Sequence, residues 1–90
     1  MTFDSAKRQI NLTKHGIDLA DCYDVFDWPM LTREDASANY GEERLVSLCW
    51  LNTMVVFLVW VDDEPEPRLI SCREATRYER EAYFKAFPNH

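Results

Sequence analysis

"RLVSLCWLNTMVVFLVWV", residues 44–61, decides the fold. Two runs rich in β-branched and aromatic residues, 44–50 and 54–61, flank a short "LNT" connection, which is the pattern of a β-hairpin. The second run, "MVVFLVWV", is apolar at every position. A half-wet strand alternates apolar and polar residues, so a strand with no polar residue has both faces covered and belongs inside a sheet. It is also far too short to cross a bilayer as a helix, which takes about 20 residues. Leu48, Val55, Phe57 and Val59 are the expected core of this hairpin.

Working outward, residues 31–40 are polar and read as an edge strand. Before them, Asp18 opens a helix with Asp21 three residues on, and Leu19, Cys22, Val25 and Phe26 recur at helical spacing until Pro29 stops it. An earlier helix runs through "AKRQINLTKH", capped by Asp4 or Ser5 and ended by Gly16, which suits the left-handed C-terminal position. On the other side of the hairpin, "DDEPEP" makes a turn and residues 68–71 a last strand. Ser71 with Glu74 then spells a capping box for a final helix. Ala75, Tyr78, Ala82 and Ala86 form its apolar side, and Arg73, Arg77 and Arg80 an outward stripe at i, i+4, i+7. The expected architecture is α+β: two N-terminal helices, a mainly antiparallel sheet of three to five strands, and one C-terminal helix.

Ninety residues, 47% of them apolar, suffice for one modest core, hence one domain over 1–90. There is no repeat, low-complexity tract or proline-rich linker. The N-terminus carries charge throughout and lacks the apolar region of a signal peptide, so the expected location is cytoplasmic, with no membrane contact. Cys22, Cys49 and Cys72 are far apart and form no CxxC pair, which argues against a disulfide framework and a zinc site and leaves no metal or other cofactor expected.

The formal net charge is −6, but it is unevenly spread. Lys7, Arg8 and Lys14 outnumber Asp4 at the start, and four arginines with Lys85 outnumber Glu74, Glu79 and Glu81 at the end. The middle holds "DLADCYDVFD", Glu42, Glu43 and "DDEPEP", opposed only by Arg33 and Arg44. If the ends meet in the fold, they make a cationic patch on an anionic body, suited to a polyanion or a charged protein partner.

Three stretches in order resemble the BrnT toxins, the ribonuclease half of a bacterial type II toxin–antitoxin pair and structural relatives of the RelE ribonucleases. "DSAKRQINLTKHGIDLADCYDVFDWP" is similar to that family's Asp-Pro-x-Lys start, Lys-His-Gly and Val-Phe-x-x-Pro; "GEERLVSL" matches its Glu-x-Arg; "RLISCREATRYEREAY" matches its Arg-x-Ile-Ser-x-Arg-x-Ala with a later Glu and Tyr. Phe3 stands where the family usually has Trp, and Ser5 where it has Pro.

The resemblance implies a RelE-like fold and metal-independent RNA cleavage, in which the 2′-hydroxyl attacks the adjacent phosphorus. Such a reaction needs a base, a cation for the developing charge and an acid for the leaving oxygen. Arg68 and Arg73 match phosphate oxygens in geometry and flank the expected start of the last helix, where Ser71's cap leaves backbone N–H groups to seat an anion. His15 is the natural proton carrier, since imidazole exchanges a proton near neutral pH, and Lys14 lies beside it. Glu42 is the alternative base, with Arg44 and Arg77 as further RNA contacts. The bland readings stand beside these: Lys14 and His15 also suit a helix C-terminus, Arg77 can pair with Glu74 or Glu81, and Glu42 with Arg44. The implied partners are RNA and a cognate BrnA-like antitoxin, in a possible homodimer or heterotetramer. The alternative is a catalytically weak relative acting as a protein-binding module in a repressor complex. Convergence of His15, Glu42, Arg68 and Arg73 on one pocket favours the enzyme; arginines tied up by Glu74, Glu79 and Glu81 favour the module.

Overall fold

The computed structural model describes residues 4–35 and 41–89. Four strands, β1 (Leu31–Glu34), β2 (Leu45–Leu51), β3 (Met54–Val61) and β4 (Arg68–Glu74), form one antiparallel sheet in sequence order. Helix α1 (Ser5–His15) precedes the sheet and α2 (Arg77–Ala86) follows it. The expected α+β architecture holds, with four strands within the expected three to five. Of the expected edge strand over 31–40, Leu31–Glu34 is strand, and residues 36–40 lie outside the described residues.

The hairpin forms as its pattern demands: Leu45 pairs with Trp60 and Leu51 with Met54, and Asn52 turns the chain at φ 55°. Period-two alternation then sorts the strands onto two faces. One face carries Cys49, Leu51, Val56, Leu58, Trp60, Leu69 and Cys72, packed with Ile17, Leu19, Cys22 and Val25. The other carries Val46, Leu48, Val55, Phe57 and Val59. Of the four residues expected in the core, only Val55 is fully buried; Leu48, Phe57 and Val59 are half-buried, because they belong to this second, partly covered face. Every second residue of an all-apolar strand looks equally like core in the sequence, and the covering elements decide which set is sealed.

Those elements come from the N-terminus. Asp4 caps α1 by accepting from the Ala6 and Lys7 amides, and Gly16 ends it at φ 71° with its amide donating to the Leu12 carbonyl. The expected second helix is instead two short 3₁₀ helices, Leu19–Asp21 and Tyr23–Asp27. Its buried residues Leu19, Cys22 and Val25 repeat every three positions, which fits three residues per turn better than 3.6. Arg8 clamps this segment to α1 by donating to both Asp18 carboxylate oxygens, at 2.7 and 2.8 Å. The guanidinium holds the Asp18 carboxyl below its ordinary range.

Asn11, the one buried polar residue of α1, closes the outer edge of the sheet. Its side-chain amide accepts from the Cys72 amide and donates to the Cys72 carbonyl, both at 2.9 Å, and also donates to the Ile17 carbonyl at 2.8 Å. This is a strand-like pairing supplied by one side chain, and it fills the backbone groups that β4 would otherwise leave open.

Helix α2 begins later than the sequence pattern indicates. The strand runs on through Glu74, so Ser71 and Arg73 are strand residues, and the capping box is Thr76 with Glu79. Both Ser71-x-x-Glu74 and Thr76-x-x-Glu79 spell the same motif; β3 takes the first as its pairing partner, with Val56 opposite Glu74. The stripe of Arg73, Arg77 and Arg80 therefore does not exist as a helix face, and no helix N-terminus sits at Ser71. The docking residue is Tyr83, fully buried, rather than Tyr78, Ala82 or Ala86, which are exposed. Its hydroxyl donates to the Pro29 carbonyl at 3.0 Å, tying α2 to the chain just before β1.

Candidate functional site

The second face of the sheet gathers most of the candidate site residues, and a β-bulge brings them together. In a regular strand Arg68 and Arg73, five apart, point to opposite faces. The pairing of β3 with β4 shifts between Val59 and Trp60, inserting one extra residue on β4. Phe57, Val59 and Val61 share one face of β3, and their partners are Arg73, Ser71 and Arg68. The bulge thus brings Arg68 round to the face of Ser71 and Arg73. Arg33 on β1 joins the same face through the row Arg33, Val46, Val59, Ser71. The result is an apolar floor rimmed by arginines.

Carboxylates fix Arg68 and Arg73, and Arg44 beside them, in place. At one end Glu42 bridges Arg68 and Arg44, accepting from Arg68 Nη2 and standing 3.8 Å from Arg44 Nε, while Asp63 lies 3.4 Å from Arg68 Nε. The Arg68 side chain keeps 29% of its surface exposed and that of Arg44 13%. The hydrogen bond that Arg68 donates to Glu42 is the main reason its guanidinium is held above its ordinary pKa. At the other end Arg73 lies over the Phe57 ring at 4.2 Å and donates to both Glu79 oxygens at 2.8 and 3.0 Å. That fork pulls the Glu79 carboxyl down to about 2. Glu79 also closes the capping box of α2, so one carboxylate anchors both Arg73 and the helix start.

Between the rim and α2 lies a groove of about 400 Å³ with Leu31, Val46, Leu48 and Phe57 among its lining, Tyr78 and Ala82 on the helix side, and Arg33 and Glu79 at its polar margin. His15 and Lys14 line a smaller cavity, of about 270 Å³, at the β4 edge, together with Lys7, Asn11, Ile70 and Ser71. Ser71 is the link, sharing its face with Arg68 and Arg73.

Glu42, Arg44 and Arg68 therefore come together, and Arg73 shares their side of the sheet. His15 and Lys14 approach from beyond β4, in a cavity whose lining includes none of those four. Arg68 and Arg73 lie along β4 and not, as expected, at the start of the last helix. Arg77 sits on the exposed side of α2, 80% exposed and paired with Glu81 at 3.1 Å. Arg80 donates to the Ala75 carbonyl at 3.1 Å. Sequence reasoning missed Arg33, Phe57 and Asn11 as parts of this site and its frame. Arg33 had a signal: a lone arginine two residues past an apolar strand start lies on the same face as Leu31. The bulge had none.

The family model described as the ribonuclease toxin, BrnT, of type II toxin–antitoxin systems matches residues 3–79. The chain belongs to the BrnT family. The crystal structure of the Brucella abortus ribonuclease toxin BrnT matches this fold with a TM-score of 0.65, at 25% identity, covering 86% of this chain and 96% of that one. No curated protein matches. The BrnT match spans α1, the whole sheet and the first turn of α2, ending at Glu79, the carboxylate that holds Arg73. No helix among the described residues is long and apolar enough to cross a membrane.

Proposed function

We propose that this BrnT-family chain is an endoribonuclease toxin that cuts RNA without a metal ion, by attack of a 2′-hydroxyl on the adjacent phosphorus. The products are a 2′,3′-cyclic phosphate and a 5′-hydroxyl end. The observation that carries this reading is the bulge-made alignment of Arg68 with Arg73 on one open face, with Glu42 set against Arg68 and Arg44. A substrate phosphate takes the place of Glu42 and Asp63 on Arg68, and the guanidinium fork holds the non-bridging oxygens as charge builds on them. The displaced Glu42 carboxylate is then beside the phosphate and accepts the 2′-hydroxyl proton. His15 returns a proton to the leaving 5′-oxygen from the β4 edge, with Lys14 beside it extending the cationic path along that edge; Arg77, on the outer side of α2, has no part in this step.

Cleavage of RNA by the purified protein, in the presence of a chelator, tests this. Arg68→Ala and Glu42→Gln should each lower the rate about 100-fold or more. Arg73→Lys should not rescue Arg73→Ala, because an ammonium keeps the charge but loses the planar fork. His15→Ala distinguishes proton transfer from helix capping: a loss of rate at unchanged melting temperature supports the first. A wild-type protein that cuts no RNA overturns the proposal.

The RNA-cleaving reading carries an antitoxin partner with it, the acidic stretches at 18–27 and 62–66 offering a surface for a basic segment, and cytoplasmic action on RNA. The pairing of Arg73 with Glu79 and Arg77 with Glu81 favours the second reading, a protein-binding module in a repressor complex. Growth arrest on induction without the antitoxin separates the two, since the module alone leaves growth unaffected.

A further inference from the structure

We infer that the groove between the sheet face and α2 is a base-binding subsite, which takes one unpaired nucleobase of the RNA next to the scissile phosphate. This rests on the ribonuclease reading and adds to it a substrate class: single-stranded RNA. The groove's volume, about 400 Å³, lies in the small-ligand range of roughly 300–1,000 Å³. Its floor is the apolar surface of Leu48 and Phe57, and its helix-side wall is Tyr78.

Tyr78 is the odd residue here. It is 81% exposed, so it contributes little to packing, yet it is an aromatic residue in the first turn of α2 that lines a groove with an apolar floor. Exposed aromatics beside cationic side chains suit unpaired bases, whose faces stack and whose phosphates need a counter-charge. The counter-charge is at hand: Arg33 lies at the groove margin and, among the described residues, makes no ion pair, whereas Arg68, Arg73 and Arg77 are all committed to carboxylates. Arg73, lying over Phe57, connects the groove to the row of Ser71 and Arg68, so a base in the groove has its backbone on the arginine rim. In a duplex the faces of each base are covered by its stacked neighbours, so a base inside a duplex is excluded.

The test is equilibrium binding of cleavage-resistant 2′-O-methyl RNA oligonucleotides, each with a single abasic residue at a different position, and of the corresponding duplex. For the wild type, one abasic position should weaken binding roughly 5- to 150-fold while the others matter little, and the duplex should bind more weakly than the single strand. Tyr78→Ala should weaken the intact oligonucleotide by a similar factor and abolish the sensitivity to that abasic position, since the two changes remove the same contact. Arg33→Ala should weaken binding of every oligonucleotide and reduce its salt dependence without removing the position effect. A wild type that cleaves RNA but binds all abasic oligonucleotides alike, or a Tyr78→Ala variant that keeps the position effect, overturns the subsite and leaves the ribonuclease reading standing. A groove that instead receives an apolar side chain of a protein partner gives the first of these outcomes, with no abasic position singled out. A wild type that neither cleaves RNA nor binds any oligonucleotide overturns both.

Discussion

The two faces of this sheet are built from the same four strands and differ in almost everything else. One is sealed by α1 and the two 3₁₀ helices; Leu19, Cys22, Val25, Cys49, Val56, Leu58, Leu69 and Cys72 are fully buried there. Its few polar atoms are answered: Trp60 Nε1 donates to the Ser47 hydroxyl at 2.8 Å, which shares a hydrogen bond with Thr32 at 2.7 Å. Burial pushes the Cys49 thiol up to about 12, and a hydrogen bond with Cys22, with burial behind it, raises that of Cys72, so these sulfurs stay protonated and behave as small apolar groups. The other face is covered by α2 at one end only and holds ionised side chains around an apolar strip. Buried packing is concentrated on the first face and ion-paired side chains on the second. Because adjacent strand residues point to opposite faces, neighbouring positions in the sequence should respond to mutation in opposite ways.

Leu58 and Val59 make the sharpest version of that contrast. Leu58→Ala removes a fully buried side chain and should cost about 2–5 kcal/mol in chemical denaturation. Val59→Ala, on the half-open face, should cost clearly less. Equal losses would mean that the second face is as closely packed as the first, and the groove assignment would lose its basis. Asn11→Ala comes next. It leaves the Cys72 amide and carbonyl and the Ile17 carbonyl without their partner in a buried place, and should cost about 2–3 kcal/mol. Hydrogen exchange gives the more specific check: the Cys72 amide should lose protection in the variant more than amides of the β2–β3 hairpin.

How much of this contrast was legible in the sequence depends on which link is asked for. The hairpin at 44–61 and its central position were legible, because an all-apolar run between turn residues has few other uses. Which of its two residue sets would be sealed was not, since that depends on where α1 and the 3₁₀ segment dock. The start of α2 was misread because Ser71 and Thr76 both begin a capping box, and local signals cannot weigh helix propensity against a strand partner for β3. The site suffered the same way. Arg68, Arg73 and Glu42 could be named as candidates, but only the bulge on β4 puts both arginines on one face, and one extra residue in a strand leaves no mark on composition or periodicity.

Glu79→Gln asks whether the second face is held together by charge. Glu79 has a folded pKa of about 2 against an ordinary 4.5, so its contribution is fully present above about pH 4.5 and is lost as the pH falls through about 2. Near pH 7 the variant should be less stable by about 1–2 kcal/mol, from a pair that is partly screened by solvent and a weakened capping box. The difference between wild type and variant should shrink steadily from pH 5 towards pH 2. A difference that stays constant over that range would assign the effect to the cap alone.

The smallest expected effect belongs to Arg77, and it sharpens the comparison by lying just outside the site. Its pair with Glu81 has the i, i+4 spacing and good geometry at 3.1 Å, but the two side chains are 80% and 60% exposed. Water screens such a pair, and holding two long side chains in one geometry costs entropy, so Arg77→Ala should change stability by less than about 0.5 kcal/mol. Arg73 has the same chemistry and the same kind of partner, yet it is two-thirds buried, forked onto Glu79 and stacked on Phe57. Arg73→Ala should therefore lower the melting temperature measurably, and Arg77→Ala should leave it unchanged. If RNA cleavage follows the same order, the sheet face is the working surface; if Arg77→Ala abolishes cleavage at an unchanged melting temperature, the substrate path runs along the outer side of α2 instead, and the groove is not on it.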